Sequence, residues 1–150
     1  MVGGMLFHFG RFHLREVKGN LGSRKYCQML NTFAFPLILE EYDQDLVFQQ
    51  DNAPAHASEV TQLFLEENGV SVMDWPARSP DLNVIENCWH ILKMFVYENG
   101  GVQNLTQLRE KIGAALQQFN ASPDVGKQIY CSFGKCVLHC YEKIGEILQD

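Results

Sequence analysis

The spacing of apolar and polar positions places short strands early in the chain and helices toward its end. Met5-Leu6-Phe7-His8-Phe9 and the stretch from Phe12 to Val17 read as two strands on either side of a turn at Gly10. Asn20-Leu21-Gly22-Ser23 has turn composition, and Tyr26, Met29, Leu30 and Phe33 then recur at helical spacing. The pattern predicts one helix from Ser23 to near Leu39 that continues past Pro36. Leu46 to Gln50 predicts a short strand ending at Asp51. Ala57 to Asn68 is amphipathic, with Val60, Leu63 and Phe64 on one face and Gly69 as its stop. Val70 to Met73 predicts a further strand, closed by Trp75-Pro76.

After a loop at Ser79-Pro80, a helix is expected from about Val84 to Tyr97. Its core stripe is Ile85, Trp89, Leu92 and Val96, and Asn99-Gly100-Gly101 ends it. Leu105 to Phe119 predicts a helix burying Leu108, Ile112, Ala115 and Leu116. The tail from Ser122 is also helical, with Ile129, Val137, Tyr141 and Ile144 as packing positions. Strands mixed with helices, followed by helices alone, make an α/β domain with one small sheet.

Composition narrows the class. The chain has 150 residues, 46% of them hydrophobic and 20% charged, which suits one globular domain over 1–150 with a core of its own. The longest apolar stretch, Phe33 to Leu39, is interrupted by Pro36 and falls far short of the roughly 18 residues of a membrane span. The opening Met1-Val2-Gly3-Gly4 lacks the charged and apolar regions of a secretory signal. Five cysteines without framework spacing fit a reducing compartment. A soluble, intracellular protein with no membrane partner is expected.

The net charge of −6 is unevenly spread. Residues 1–30 carry Arg11, Arg15, Lys18, Arg24 and Lys25 against Glu16 alone, whereas residues 40–86 hold eleven acids against Arg78 alone. Phosphate binding rests on clustered Lys and Arg, so the chain holds no dedicated DNA-gripping module.

Candidate chemistry centres on two acids. Gln49-Gln50-Asp51-Asn52-Ala53-Pro54-Ala55-His56 places Asp51 at the C-terminal end of a strand, the edge where open α/β sheets present reactive groups. Trp75-Pro76-Ala77-Arg78-Ser79-Pro80-Asp81-Leu82-Asn83-Val84-Ile85-Glu86-Asn87 places Glu86 on the first turn of a helix. Carboxylates that converge from such positions suit a hard divalent cation with room left for phosphate oxygens. Each acid also has a structural role open to it. Asp51 can cap the turn at Asn52-Ala53-Pro54, and Glu86, three residues after Asn83, fits a capping box. His56 can contact substrate or merely begin the next helix. Arg78 can meet a DNA phosphate or remain a solvated loop residue. Asp81 reads as a turn or cap residue, and Trp75 and Trp89 as packing residues. Cys131, Cys136, His139 and Cys140 are too loosely spaced for a usual zinc site, and the three cysteines read as buried or surface thiols on a helix.

The two long motifs together resemble the catalytic domain of Tc/mariner transposases. Gln-Gln-Asp-Asn-Ala-Pro-Ala-His is followed by Asp-Trp-Pro-x-x-Ser-Pro-Asp-Leu-Asn-x-Ile-Glu-Asn-x-Trp, with 34 residues between Asp51 and Glu86, the spacing of one major branch. Val2-Gly3-Gly4, Gly19-Asn20 and Lys25-Tyr26 extend the resemblance from about Met1 to the tail. It implies an RNase H-like mixed sheet with flanking helices and a Mg2+- (or Mn2+-) dependent mechanism that cuts and joins DNA. Asp51 and Glu86 would be catalytic metal ligands, His56 and Arg78 substrate contacts, DNA at transposon ends the partner, a homodimer the assembly and the nucleus the location.

Departures from the family pattern bear on activity. Its first acid ends a central strand that would lie before Met1. Glu16, Glu40, Glu41, Asp43 and Asp45 do not match that position. Val84 stands where a proline is common, and the tryptophan expected between Val2 and Gly3 is absent. With the first strand and the helix-turn-helix DNA-binding region both lacking, the expectation is a partial catalytic domain that is inactive alone. Sheet edges facing a gap make its fold marginal. The alternative expectation is a non-enzymatic module, derived from a transposon, that binds nucleic acid or a partner through its basic first thirty residues.

Overall fold

Backbone hydrogen bonds at both ends make the first two strands a hairpin. The computed structural model describes residues 1–41, 46–76, 82–98 and 100–147, with the side chains of residues 41 and 136–147 outside the description. β1 (Val2–Leu6) pairs with β2 (Phe12–Glu16). Val17 N donates to Met1 O at 2.8 Å, and at the other end Phe7 N donates to Arg11 O at 2.9 Å. The pair is therefore antiparallel. The turn begins at Phe7, so β1 sits earlier than the predicted Met5–Phe9. Gly10 has φ 95°, a left-handed conformation that favours glycine.

The chain divides into two compact units. Met1–Gly3 with Arg15–Arg78 form the first, and Gly4–Leu14 with Ser79–Asp150 form the second. The first contains α1 (Ser23–Met29), a π turn (Leu30–Ala34), α2 (Phe35–Glu41), β3 (Val47–Phe48), α3 (Glu59–Glu67) and β4 (Ser71–Val72). The sequence predicts a single helix over 23–39, and the π turn is the difference. Pro36 has no amide to offer the Thr32 carbonyl. Phe35 N reaches back five residues to Leu30 O instead, and the Thr32 hydroxyl donates to Gln28 O at 2.8 Å. The widened turn carries the helix past the proline.

Tyr26, Cys27, Leu30 and Ala34 are buried along this segment, and Thr61 and Leu65 are buried on α3. The predicted apolar face of α3 is corrected here: Val60 and Leu63 are exposed, while Thr61 is 0% exposed. A threonine looks polar in a pattern, but its hydroxyl donates to Ala55 O at 2.6 Å, so its burial leaves no orphaned group. Phe64 stacks on Phe35 with centroids 5.6 Å apart. α3 starts two residues later than predicted. Ala53 O accepts the amides of His56 and Ala57 in a turn, and Ser58 then caps the helix by accepting from Thr61 N.

β3 and β4 are parallel, Val47 opposite Ser71 and Phe48 opposite Val72, with α3 as their crossover. Two two-stranded sheets therefore replace the one small sheet expected. β1 and β2 pair locally through their turn and β3 pairs across α3; among the described residues no strand of one pair bonds a strand of the other. Val47 and Val72 are both exposed.

The second unit packs α4 (Ile85–Tyr97), α5 (Leu105–Ala121) and α6 (Pro123–Ile147) with the hairpin tip. Its core is Phe12, Cys88, Leu92, Val96, Ala115, Phe119 and Ile129. Leu92, Val96, Ala115 and Ile129 are expected there from the pattern, and Ile85, Trp89, Leu108, Ile112 and Leu116 pack against it partly buried. Phe12 meets Trp89 edge-on and Phe119 at a tilt, each with centroids 5.4 Å apart. Asn120 clasps the backbone of Phe12 from both sides, accepting from Phe12 N at 3.0 Å and donating to Phe12 O at 2.9 Å. Asn104 caps α5 by accepting from Gln107 N.

The pattern misses Cys88, which is 0% exposed. Burial pushes its thiol from 9.0 up to about 12, against a smaller lowering by a backbone hydrogen bond. The unfolded chain therefore ionises this thiol first, and stability falls as pH rises from about 9 toward 12. Urea titrations at about pH 8 and about pH 11 should show that loss, with a shallower pH slope in Cys88→Ala. An unchanged slope in the variant would remove Cys88 as a cause.

Among the described residues, no helix is long and apolar enough to cross a membrane. Asp43, Asp45, Ser79, Pro80, Asp81 and Asn99, and the side chains of Cys136, Val137, His139, Cys140, Tyr141 and Ile144, lie outside the description.

Candidate active site

Asp51 stands three residues past β3, on the connection to α3. The strand ends at Phe48 rather than Gln50, so Asp51 belongs to the loop that leaves the sheet edge. Its carboxylate is held on one side only. Oδ1 accepts from Ala53 N at 3.0 Å and lies 2.6 Å from His56 Nδ1. The first contact is the turn cap anticipated for Asp51. The second is a short, charge-assisted hydrogen bond in which a carboxylate can only accept, so Nδ1 carries the hydrogen. Among the described residues Oδ2 has no partner, and the Asp51 side chain is 46% exposed.

Behind this pair lies a buried support. The His56 ring lies against Tyr26 of α1, centroids 4.2 Å apart and planes tilted by 34°. The Tyr26 hydroxyl donates to Gln50 Oε1 at 2.8 Å, and Gln50 Nε2 donates to His56 O at 3.4 Å. Tyr26 is 4% exposed. Burial first, then the negative charge of the nearby Asp51 carboxylate, raises its hydroxyl above the ordinary value of 10.0. It stays protonated and keeps donating to Gln50. Asn52 pins the loop from the other side through Nδ2 to Trp75 O at 2.9 Å.

Asp51 opens on a cleft of ≈ 400 Å³ whose walls include Gln62, Glu66, Val72, Asp74 and Trp75. Three acidic residues, Asp51, Glu66 and Asp74, thus line it, and the field they set up favours cations. Among the described residues, however, no group of three His, Cys, Asp or Glu side chains is close enough to hold a metal ion.

Glu86 is the second residue of α4, exposed, in the second unit. Its amide donates to Asn83 O at 3.0 Å, and the N-cap residue Val84 makes no side-chain cap bond. The carboxylate has no hydrogen bond or ion pair among the described residues, so the capping-box role is not taken up. A negative group in a first helical turn is favoured by the helix dipole without further support. Arg78 lies outside the described residues. Trp75 and Trp89 are packed, as expected. Tyr26 and Gln50 support the site in ways the sequence does not show: Gln50 lies inside the Asp51 motif with no role assigned to it, and Tyr26 reads as a helix core position that folding brings to His56.

Residues 29–109 match the family model of the DDE superfamily endonucleases. The chain is 33% identical over 125 residues to the Tc3 transposase of Caenorhabditis elegans, covering 83% of this chain and 37% of that protein. It is 35% identical over 80 residues to the Tc1 transposase of the same organism, covering 53% and 29%. It therefore spans about a third of the length of these curated relatives. Among solved structures, the Mos1 transposase catalytic domain with raltegravir and Mg aligns with a TM-score of 0.66 at 17% identity, over 89% of this chain and 69% of that one. The Mos1 mariner paired-end complex with Mn aligns with a TM-score of 0.60 at 17% identity, over 89% and 44%. The fold is the α/β, RNase H-like architecture of that catalytic domain.

Proposed function

The chain belongs to the DDE superfamily endonucleases, in the Tc/mariner branch, and on that premise we propose that it supplies two carboxylates to a metal-dependent centre that cuts and joins DNA at transposon ends. The observation that carries this reading is the one-sided hold on Asp51: Oδ1 is engaged by two donors while Oδ2 is left to an acidic cleft. Asp51 and Glu86 would be the ligands. Hard carboxylate oxygens suit Mg2+ or Mn2+, which take a few such ligands and keep several waters. When bound, the ion activates a water or 3′-hydroxyl and stabilises the leaving oxygen.

The protein's own groups do the rest. The loop from Gln50 to His56 fixes where the Asp51 carboxylate points, and α4 carries Glu86 on an exposed first turn. The carboxylates around the cleft repel phosphate until a cation offsets them, which makes DNA binding at this point depend on the ion. Arg78 is retained as a phosphate contact in this reading. The nucleus, where such DNA lies, is the proposed location, and a homodimer the proposed assembly.

Paramagnetic NMR on the 150-residue chain tests the metal site directly. Titrated MnCl2 should broaden the amides of Ala53 and Ala55 ahead of the rest, and those of Glu86 and Asn87, with excess Mg2+ reversing both effects. Asp51→Asn should abolish the first set and Glu86→Gln the second. Broadening at Ala53 that persists unchanged in Asp51→Asn would overturn the reading.

A further inference from the structure

The Tyr26–Gln50–His56 group has no part in holding a cation, yet it is built onto one of the two carboxylates that would. We infer that His56 is a positioning residue: its Nδ1–H holds Asp51 Oδ1 so that Oδ2 alone is presented to the cation. This rests on the reading of Asp51 as a metal ligand.

The geometry supports a dedicated support rather than a chance contact. Two donors converge on Oδ1, Ala53 N at 3.0 Å and His56 Nδ1 at 2.6 Å. A carboxylate turns freely about its last bond on a half-exposed loop, and a single backbone donor leaves that rotation loosely restrained. A second donor on the same oxygen fixes both the plane and the choice of oxygen. The ring that supplies it is itself fixed. Tyr26 covers one face, and Gln50, oriented by the Tyr26 hydroxyl, holds the His56 carbonyl. The chain of contacts runs from the core of the first unit to the open carboxylate: Tyr26 is 4% exposed, His56 21% and Asp51 46%. Outer partners that orient a ligand in this way typically change metal affinity by about 10–100-fold when lost.

The substitution set separates position from bulk. The amide nitrogen of an asparagine can reach the place of Nδ1, whereas that of glutamine falls near Nε2. In the same Mn2+ titration, read at the amides of Ala53 and Ala55, His56→Ala should weaken the apparent affinity by about tenfold or more. His56→Asn should restore most of it and His56→Gln should not. Tyr26→Phe keeps the ring and removes the hydroxyl, and should give an intermediate loss. If His56→Ala binds Mn2+ as the unchanged chain does, while Asp51→Asn abolishes binding, the positioning role falls and the metal site stands. If Asp51→Asn has no effect, the metal site falls first. If asparagine and glutamine restore binding equally, the role is packing and the inference is wrong. Dispersed amide spectra in each variant confirm that folding is retained, and an unfolded His56→Ala leaves the asparagine–glutamine contrast to decide.

Discussion

Phe12→Ala should lose about 3–5 kcal/mol of stability, the range for removing a buried phenylalanine side chain. Total stability of a domain is on the order of 5–15 kcal/mol, so the loss would take from about a fifth to all of such a margin. Phe12 is 0% exposed and lies between Trp89 and Phe119 at 5.4 Å from each ring. Both neighbours come from helices, so neither α4 nor α5 can collapse into the vacated space without losing its own packing on Leu92 or Ala115. The Asn120 clasp acts on the Phe12 backbone and survives the substitution. It keeps the hairpin in place and so keeps the cavity open. Urea unfolding followed by tryptophan fluorescence in a Trp75→Phe background, which leaves Trp89 as the reporter, measures the effect, and a loss below about 1 kcal/mol would show that Phe12 is not the centre of this core. Phe12→Leu, which retains most of the volume, should cost less than about 1.5 kcal/mol.

Among the described helix glycines, Gly126 is where an added methyl is expected to do the most damage. A Cβ at this position would meet Gly10 C and Cα at 2.6 Å, and Gly10 O closer still. The obstacle is backbone, which has no rotamer by which to withdraw. Gly10 offers no relief. Its φ is 95°, and Lys127 N lies 2.7 Å from where a Cβ on Gly10 would stand, so the turn is fixed against α6 from the other side as well. Overpacking of this kind costs about 1–3 kcal/mol, occasionally more, and Gly126→Val should exceed the alanine. Gly134 on the same helix supplies the control, since nothing lies within 4 Å of a Cβ placed there. Gly134→Ala should stabilise by up to about 1 kcal/mol through helix propensity alone. Thermal melts of the two alanine variants should therefore move in opposite directions. A Gly126→Ala melt at or above that of the unchanged chain would mean that the hairpin tip and α6 separate at no cost.

What can be read from the sequence follows from which forces act locally. Leu92 and Val96 are legible because a helix spaces its buried residues at about 3.6 and both are apolar. Thr61 and Cys88 are among the most deeply buried residues, yet side-chain type does not point to them. Each is small, and Thr61 satisfies its hydroxyl internally. The π turn is invisible in the pattern because Pro36 signals a break without saying how the chain accommodates it. The pattern overextends β3 because neither Gln49 nor Gln50 carries a turn signal, while the backbone has already left the ladder after Phe48. At the site, Asp51 and Glu86 stand out through long motifs, whose spacing is a property of sequence. The Asp51–His56 bond, five residues apart, lies within one motif and is still not legible there, because a histidine in a loop does not reveal which ring nitrogen faces what. Tyr26 joins it only through tertiary contact.

The π turn also sets what changes of length the first helical segment can absorb. It counts as a one-residue insertion in an otherwise α-helical run, and each residue in such a run advances the face by about 100°. Removing one residue between Leu30 and Ala34 would return the run to uniform α-helix with the faces beyond it close to their present phase, whereas a deletion in the α-helical turns on either side would rotate everything beyond by that amount. Phe35 would keep its face toward Phe64, but Pro36 would press its ring on a carbonyl with no slack to receive it. Point substitutions at the exposed Asn31 leave the phase untouched. Along this segment the count of residues matters more than their identity.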